Sequence, residues 1–186
     1  FLIPVAASAQ LPLVNHEVAT GVDTSRWYSF TESASTVLSG SYQDDGISGL
    51  QDMGMTFTFC GVPHTTFSAN TNGNFSLGVS CAASPYGSPL STSAGSNAPK
   101  IIGIGRDMGN GTNGYVRYEV FINDDGDSVF VCEFALAYNY GSSYNAGVKW
   151  QIQLNQTTSV ASIVYGPTPA TMPSGFQIGA ATSSSD

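Results

Sequence analysis

The sequence is poor in charge, and above all in positive charge. Only 10% of its 186 residues are charged, and 5 lysines and arginines face 13 acidic residues, for a net charge of −8. The cations are scattered along the chain as Arg26, Lys100, Arg106, Arg117 and Lys149. Because proteins that hold phosphate backbones concentrate positive charge on one face, we exclude nucleic acid as a partner.

Long apolar runs and catalytic motifs are also missing. No stretch approaches the roughly 20 apolar residues of a membrane-spanning helix, so we do not expect the chain to span a membrane. The sequence has only 2 histidines and no G-x-S-x-G motif. His64 follows Cys60 across a turn, but no third group that could orient such a pair is evident. We therefore predict that the chain is not an enzyme and has no catalytic residues.

Helical periodicity is absent as well, whereas period-2 alternation recurs from end to end. Alternation of apolar and polar residues is typical of strands with one buried face. Roughly ten short strands with turn-rich links predict an all-β fold, a two-sheet antiparallel β-sandwich of jelly-roll or immunoglobulin-like type. We assign residues 26–182 to this domain, residues 1–25 to an N-terminal arm and residues 183–186 to a C-terminal tail.

The clearest pattern is a three-stranded meander within residues 53–79. A two-residue turn at its Asn-Gly pair would place Phe67 and Phe75 on opposite faces of the sheet. A three-residue loop, 71–73, instead sets Phe67 opposite Leu77, with Gly73 in a left-handed conformation. By the same reasoning, a loop at residues 61–63 sets Phe57 opposite Phe67.

The chain has three cysteines, so at least one is unpaired within the chain. Alternation places Cys81 and Cys132 on inward-facing positions and Cys60 on the polar face. If one disulfide forms, we expect it between Cys81 and Cys132. Three free thiols remain the alternative.

Two groups of acidic residues are candidates for chemistry. Asp124, Asp125 and Asp127 crowd one hairpin loop, and carboxylate oxygens are the ligands that Ca²⁺ prefers. The alternative is an ordinary Asp-Gly turn, since no bidentate glutamate follows at the required spacing. Glu119 and Glu133 are expected to oppose each other across the same hairpin, either as a catalytic or cation-binding pair or as solvated charges. Apart from calcium, we predict no cofactor.

A Tyr-, Ser- and Gly-rich loop follows this hairpin and carries Tyr138, Tyr140 and Tyr144. Tyrosine supplies contact area at low entropic cost, and aromatic rings also stack on sugars. This composition indicates a weak ligand-binding loop, with glycans as one class of partner; ordinary loop packing is the alternative.

The first residues are apolar and contain Phe1, Leu2, Ile3 and Val5. They fit either the remnant of a secretory signal or an ordered strand that pairs with a sheet edge, including the edge of a neighbouring subunit. Both interpretations imply export. In the second, these four residues would form a subunit contact with another copy of the chain.

The order of the motifs resembles a β-sandwich module of secreted and surface proteins of Bacteroidota, which are often exported by the type IX secretion system. The resemblance spans about residues 27–180 and departs from the pattern at 101–106, where the usual Trp-Asp segment is absent. It implies a secreted β-sandwich and carries over no catalytic residue. Its motifs here are Tyr28-Ser29-Phe30, Asp44-Asp45-Gly46, Met53–Phe59, Thr65–Ser68, Asn72-Gly73, Phe75–Gly78, Trp150–Leu154, Thr157-Thr158, Val164-Tyr165-Gly166 and Phe176–Gly179.

Together these features predict a non-catalytic extracellular structural or adhesive β-sandwich. It would serve as a module or subunit of a cell-surface protein or filament, with other copies of itself or other surface proteins as partners. The alternative is a carbohydrate-binding module of a secreted protein.

Overall fold

Ten β-strands account for the alternating stretches of the sequence in the computed structural model, which describes residues 26–31, 34–39, 43–82, 99–137, 147–166 and 175–182. Within these ranges, no helix has the length and apolar character needed to cross a membrane. The strands are β1 (Ser35–Ser39), β2 (Gln51–Phe59), β3 (Val62–Ala69), β4 (Asn74–Leu77), β5 (Lys100–Gly105), β6 (Tyr115–Ile122), β7 (Ser128–Leu136), β8 (Val148–Asn155), β9 (Ala161–Tyr165) and β10 (Gln177–Ala181).

The strands form two five-stranded sheets in which every pairing is antiparallel. The first sheet has the order β1-β6-β7-β8-β9, and the second has the order β10-β5-β4-β3-β2. The predicted fold class, an all-β two-sheet antiparallel sandwich of about ten strands, is therefore confirmed.

Aromatic rings from the two sheets meet in the core. Phe67 of β3 contacts Tyr118 and Phe130 of the first sheet edge-on, with centroids 4.9 Å away in each case. Phe134 and Trp150, on neighbouring strands of the first sheet, stack at 4.7 Å. These side chains sit on alternate positions of their strands, which is why the apolar periodicity of the sequence locates the core.

The second turn of the meander has the predicted register. Phe67 lies opposite Leu77, and Ala69 lies opposite Phe75. Gly73 has a φ of 81°. A Cβ atom on Gly73 would lie 1.8 Å from the carbonyl oxygen of Ile104, so the sequence also locates a close backbone approach between the loop and β5.

The first turn of the meander differs from the prediction. Phe59 pairs with Val62, so the link is a two-residue turn of Cys60 and Gly61 rather than a loop at residues 61–63. Both turn residues have positive φ, 50° and 81°, as in the mirror-image turns that match strand twist. Phe57 consequently lies opposite His64 instead of Phe67. A register shift between Asp52 and Phe57 restores the buried face, and residue alternation alone could not reveal it.

The hairpin of β6 and β7 also differs, by two residues. Ile122 pairs with Ser128, so Arg117 rather than Glu119 lies opposite Glu133. Glu119 lies opposite Val131. A shift of two residues preserves side-chain direction, but the predicted pair of glutamates is wrong.

The predicted disulfide between Cys81 and Cys132 is wrong, because all three cysteines are free. The Cys81 sulfur lies 3.3 Å from the hydroxyl of Ser76 and 3.2 Å from the carbonyl oxygen of Ser68. Both serines alternate with core phenylalanines, so Cys81 is on the outer side of the second sheet. Cys132 packs in the core on the inner side. Residue parity failed at Cys81 because the chain has already left β4, which ends at Leu77.

Thiol titration should separate the three cysteines. Cys60 is exposed, whereas Cys81 and Cys132 are buried and burial raises the pKa of both thiols. Since the thiolate is the reactive form, we expect a thiol reagent to modify one cysteine in the native protein and three after unfolding without reductant. Cys60→Ser should leave no reactive thiol in the native state. A single thiol after unfolding would instead demonstrate a disulfide.

Candidate functional site

A short N-terminal segment, residues 26–31, lies across the outer face of the first sheet; we call it the strap. Gln153 donates a hydrogen bond to the carbonyl oxygen of Arg26 at 2.6 Å. Gln151 donates to the carbonyl of Tyr28 at 2.7 Å and accepts from its backbone N–H at 3.1 Å. At the other end, the backbone N–H of Thr31 donates to Glu119 at 3.0 Å. The polar residues that alternate with the core thus hold an extended segment.

Aromatic residues of the strap add packing to these hydrogen bonds. Tyr28 and Phe30 contact the ring of Phe121, with centroids 4.8 Å and 5.5 Å away. The ring of Trp27 lies against Gly166, where a Cβ would come within 2.7 Å of it. The three rings of the strap belong to a segment that covers the sheet and not to a strand.

Glu133 is the central charge of the outer face. Its side chain is only 3% exposed, and its carboxylate accepts four hydrogen bonds. The donors are the Tyr115 hydroxyl at 2.8 Å, Arg117 at 3.2 Å and 2.8 Å, and Gln151 at 2.9 Å. Buried charges are stable when they are paired and fully hydrogen-bonded. The Glu133 carboxylate therefore holds Tyr115, Arg117 and Gln151 in place.

Arg117 is clamped between two rings. Its guanidinium carbon lies 4.5 Å from the Phe30 ring centre and 4.7 Å from the Tyr115 ring centre. Both contacts are within cation–π range. The side chain remains 31% exposed. The strap and Glu133 thus fix the guanidinium in place while leaving part of it open to solvent.

Beside this network, the outer face has a cavity of about 400 Å³. The cavity is an open cleft and not an enclosed site, and its volume lies within the range of small-molecule sites. Two of the five cations in the chain, Arg117 and Lys149, line it. Its described lining is completed by three rings, a hydroxyl and the buried carboxylate: Trp27, Ser29, Phe30, Tyr115 and Glu133.

The sequence did not point to this site. Arg117 and Lys149 are 32 positions apart, and they come together because β7 lies between β6 and β8. Arg117 faces Glu133 directly, and Tyr115 and Lys149 both pair with Ala135. The available signal is the run of alternate polar residues on β6 and β8, which by itself does not distinguish a solvated face from a covered one.

The structure does not assemble the predicted calcium ligands. Asn123 closes the loop by accepting hydrogen bonds from the backbone N–H groups of Asp125 and Asp127 at 3.1 Å and 2.7 Å. The Asp127 carboxylate accepts from Asn155 at 2.9 Å, and this contact lowers its pKa. Asp124 belongs to the same hairpin loop. Throughout the described part of the chain, no three His, Cys, Asp or Glu side chains are grouped to hold a metal ion.

Two predicted sites lie outside the described residues. The first is the tyrosine loop, with Tyr138, Tyr140 and Tyr144. The second is the apolar N-terminal segment with the predicted subunit contacts Phe1, Leu2, Ile3 and Val5. Both remain predictions.

The half-buried side chain of Tyr115 should make the free energy of unfolding fall at alkaline pH. Burial, and then the hydrogen bond to and charge of Glu133, raise the pKa of Tyr115 to about 12. An unfolded tyrosine titrates near 10. The contribution of Tyr115 to stability is therefore complete below pH 10 and lost as the pH rises toward 12. Urea unfolding between pH 9 and 12 should show this fall, and Tyr115→Phe should make it shallower. An identical slope in the variant would contradict the assignment.

Two stacked antiparallel sheets, with a strap bound across one outer face and a cavity beside it, define the chain as a β-sandwich domain with a candidate binding surface. A family model described as NIDO related matches residues 22–186, and the chain belongs to this NIDO-related family. Searches of curated proteins and of solved structures found no match.

Proposed function

We propose that the chain is a non-catalytic, extracellular adhesive or structural module that binds its partner through the cavity beside the strap. The observation that carries this proposal is the distribution of polar groups on the outer face. The buried carboxylate of Glu133 is fully hydrogen-bonded to neighbouring side chains, while rings and cations border the cavity. Such a surface offers contact area and charge rather than a reactive group.

An extracellular location agrees with the composition. Charged residues make up 10% of the chain, against about a quarter in typical globular domains. The motif order that resembles surface proteins of Bacteroidota exported by type IX secretion supports the same location. Partners on this proposal are other copies of the chain or other surface molecules.

A carbohydrate-binding module is the second candidate function, and the cavity lining favours it. Trp27, Phe30 and Tyr115 are half-buried and converge on one opening. Aromatic faces stack on sugar rings, and such sites usually combine them with a few polar groups. An adhesive module and a carbohydrate-binding module would share this surface and differ in the protein to which the domain is attached.

Two measurements on the full chain test the proposal. The first is binding to a printed array of neutral and acidic glycans, with Trp27→Ala as the variant of the cavity. The second is self-association by sedimentation velocity, with and without residues 1–9. Glycan binding or self-association that Trp27→Ala weakens supports the proposal, whereas binding that this variant leaves unchanged would mean that the partner does not bind through the cavity. A chain that remains monomeric and binds no arrayed glycan would overturn it.

A further inference from the structure

We propose that the cavity beside the strap binds an acidic saccharide, one that carries a carboxylate on the sugar ring. This inference rests on the proposed function and specifies its ligand. The reasons come from charge, from geometry and from the kind of surface that the cavity presents.

The first reason is the local excess of positive charge. The whole chain has a net charge of −8, yet the described lining of the cavity holds two cations and one carboxylate. Glu133 is neutralised by its 2.8 Å ion pair with Arg117. Lys149 forms no ion pair or side-chain hydrogen bond with any residue that the structure describes. The opening is therefore cationic on an acidic protein, which favours an anionic ligand.

The second reason is that the Arg117 side chain is preorganised, because its neighbours fix its conformation before any ligand binds. Its Nε and Nη2 atoms bind Glu133, and its plane is clamped by the Phe30 and Tyr115 rings. Nη1 donates no hydrogen bond to any of the described residues. A fixed guanidinium loses little conformational entropy when it binds a carboxylate, so this edge is a ready donor.

The third reason is the partly apolar lining. One face of Phe30 and one of Tyr115 are occupied by Arg117. Trp27, which is half-buried, remains to stack on the apolar face of a sugar ring. The exposed hydroxyl of Ser29 can donate to and accept from sugar hydroxyls. A carboxylate without a sugar would use the cations and leave Trp27 unused.

Calorimetry on the full chain tests the inference with two matched probes: an oligomer of galacturonic acid, and the galactose oligomer of the same length and linkage. We expect binding of the acidic oligomer, weakening with added salt, and at least tenfold weaker binding of the neutral one. Lys149→Met should reduce affinity for the acidic oligomer about tenfold, and Lys149→Arg should restore most of it. Trp27→Leu should weaken it as well.

Arg106→Met is the control, because it removes the same charge at the end of β5 in the second sheet and should leave affinity unchanged. Melting temperatures would show that each variant is folded. Equal binding of the neutral oligomer, or unchanged affinity in Lys149→Met, overturns the inference while the adhesive proposal stands. Equal binding of a simple carboxylate such as glutarate also overturns it. Absence of all binding and of self-association removes the proposed function itself.

Discussion

Replacing Gly73 with alanine is expected to lower the free energy of unfolding by roughly 4 kcal/mol, measured by urea denaturation. Two costs add up. The φ of 81° places residue 73 in the left-handed region, which disfavours any residue with a Cβ. The new methyl group would also lie 1.8 Å from the carbonyl oxygen of Ile104 and 3.1 Å from the Met108 side chain. The loop and β5 would have to separate.

Gly126 provides a matched control for this substitution. Its φ is 85°, but nothing lies within 4 Å of a Cβ built there. Gly126→Ala should therefore cost only the conformational part, about 1–2 kcal/mol. The difference between the two variants isolates the close approach of the loop to β5. Equal losses would mean that this approach is not tight.

Replacing Arg117 with methionine should cost about 3 kcal/mol, because the Glu133 carboxylate would stay buried without its counter-ion. Glu133→Leu should cost less, about 1 kcal/mol, since the Arg117 side chain is 31% exposed and can turn to solvent. The double variant should recover at least half of the loss in Arg117→Met. Urea denaturation of the four proteins completes the cycle.

Lys149→Met is the control for charge alone. Its ammonium group has no ion-pair partner among the residues described, so its removal should change stability by no more than about 0.5 kcal/mol. If the loss of unfolding free energy in the double variant equalled the sum of the losses in the two single variants, Arg117 and Glu133 would not be energetically coupled. The outer face would then be held chiefly by the strap.

The sequence predicts the structure well wherever the alternation of apolar and polar residues determines which face of a strand is buried. The two apolar sheet faces, the register across residues 71–73 and the special role of Gly73 follow from period 2 and turn chemistry. The apolar residues of β5 fit the same logic, since this strand is buried along its whole length. These features depend on neighbours in the chain.

The features that sequence reasoning missed depend on distant neighbours. A shift of two residues preserves side-chain direction yet exchanges Glu119 for Arg117 opposite Glu133, which turns a repulsive pair into an ion pair. The strap carries no strand pattern of its own, because its partners are glutamines on β8. The cavity is lined by residues of β6, β8 and the strap, so no local sequence pattern predicts it.

The order of the strands has a consequence for folding. The runs β2–β5 and β6–β9 are local meanders, but each sheet is completed from the far end of the chain: β1 pairs with β6, and β10 pairs with β5. The meanders can form early from contacts close in sequence, whereas the two closing strands must wait for long loops to close. Each terminal strand joins the meander that lies farther from it in the sequence, so the intervening meander must be folded back before either sheet is complete. The sandwich should therefore fold and unfold as one cooperative unit.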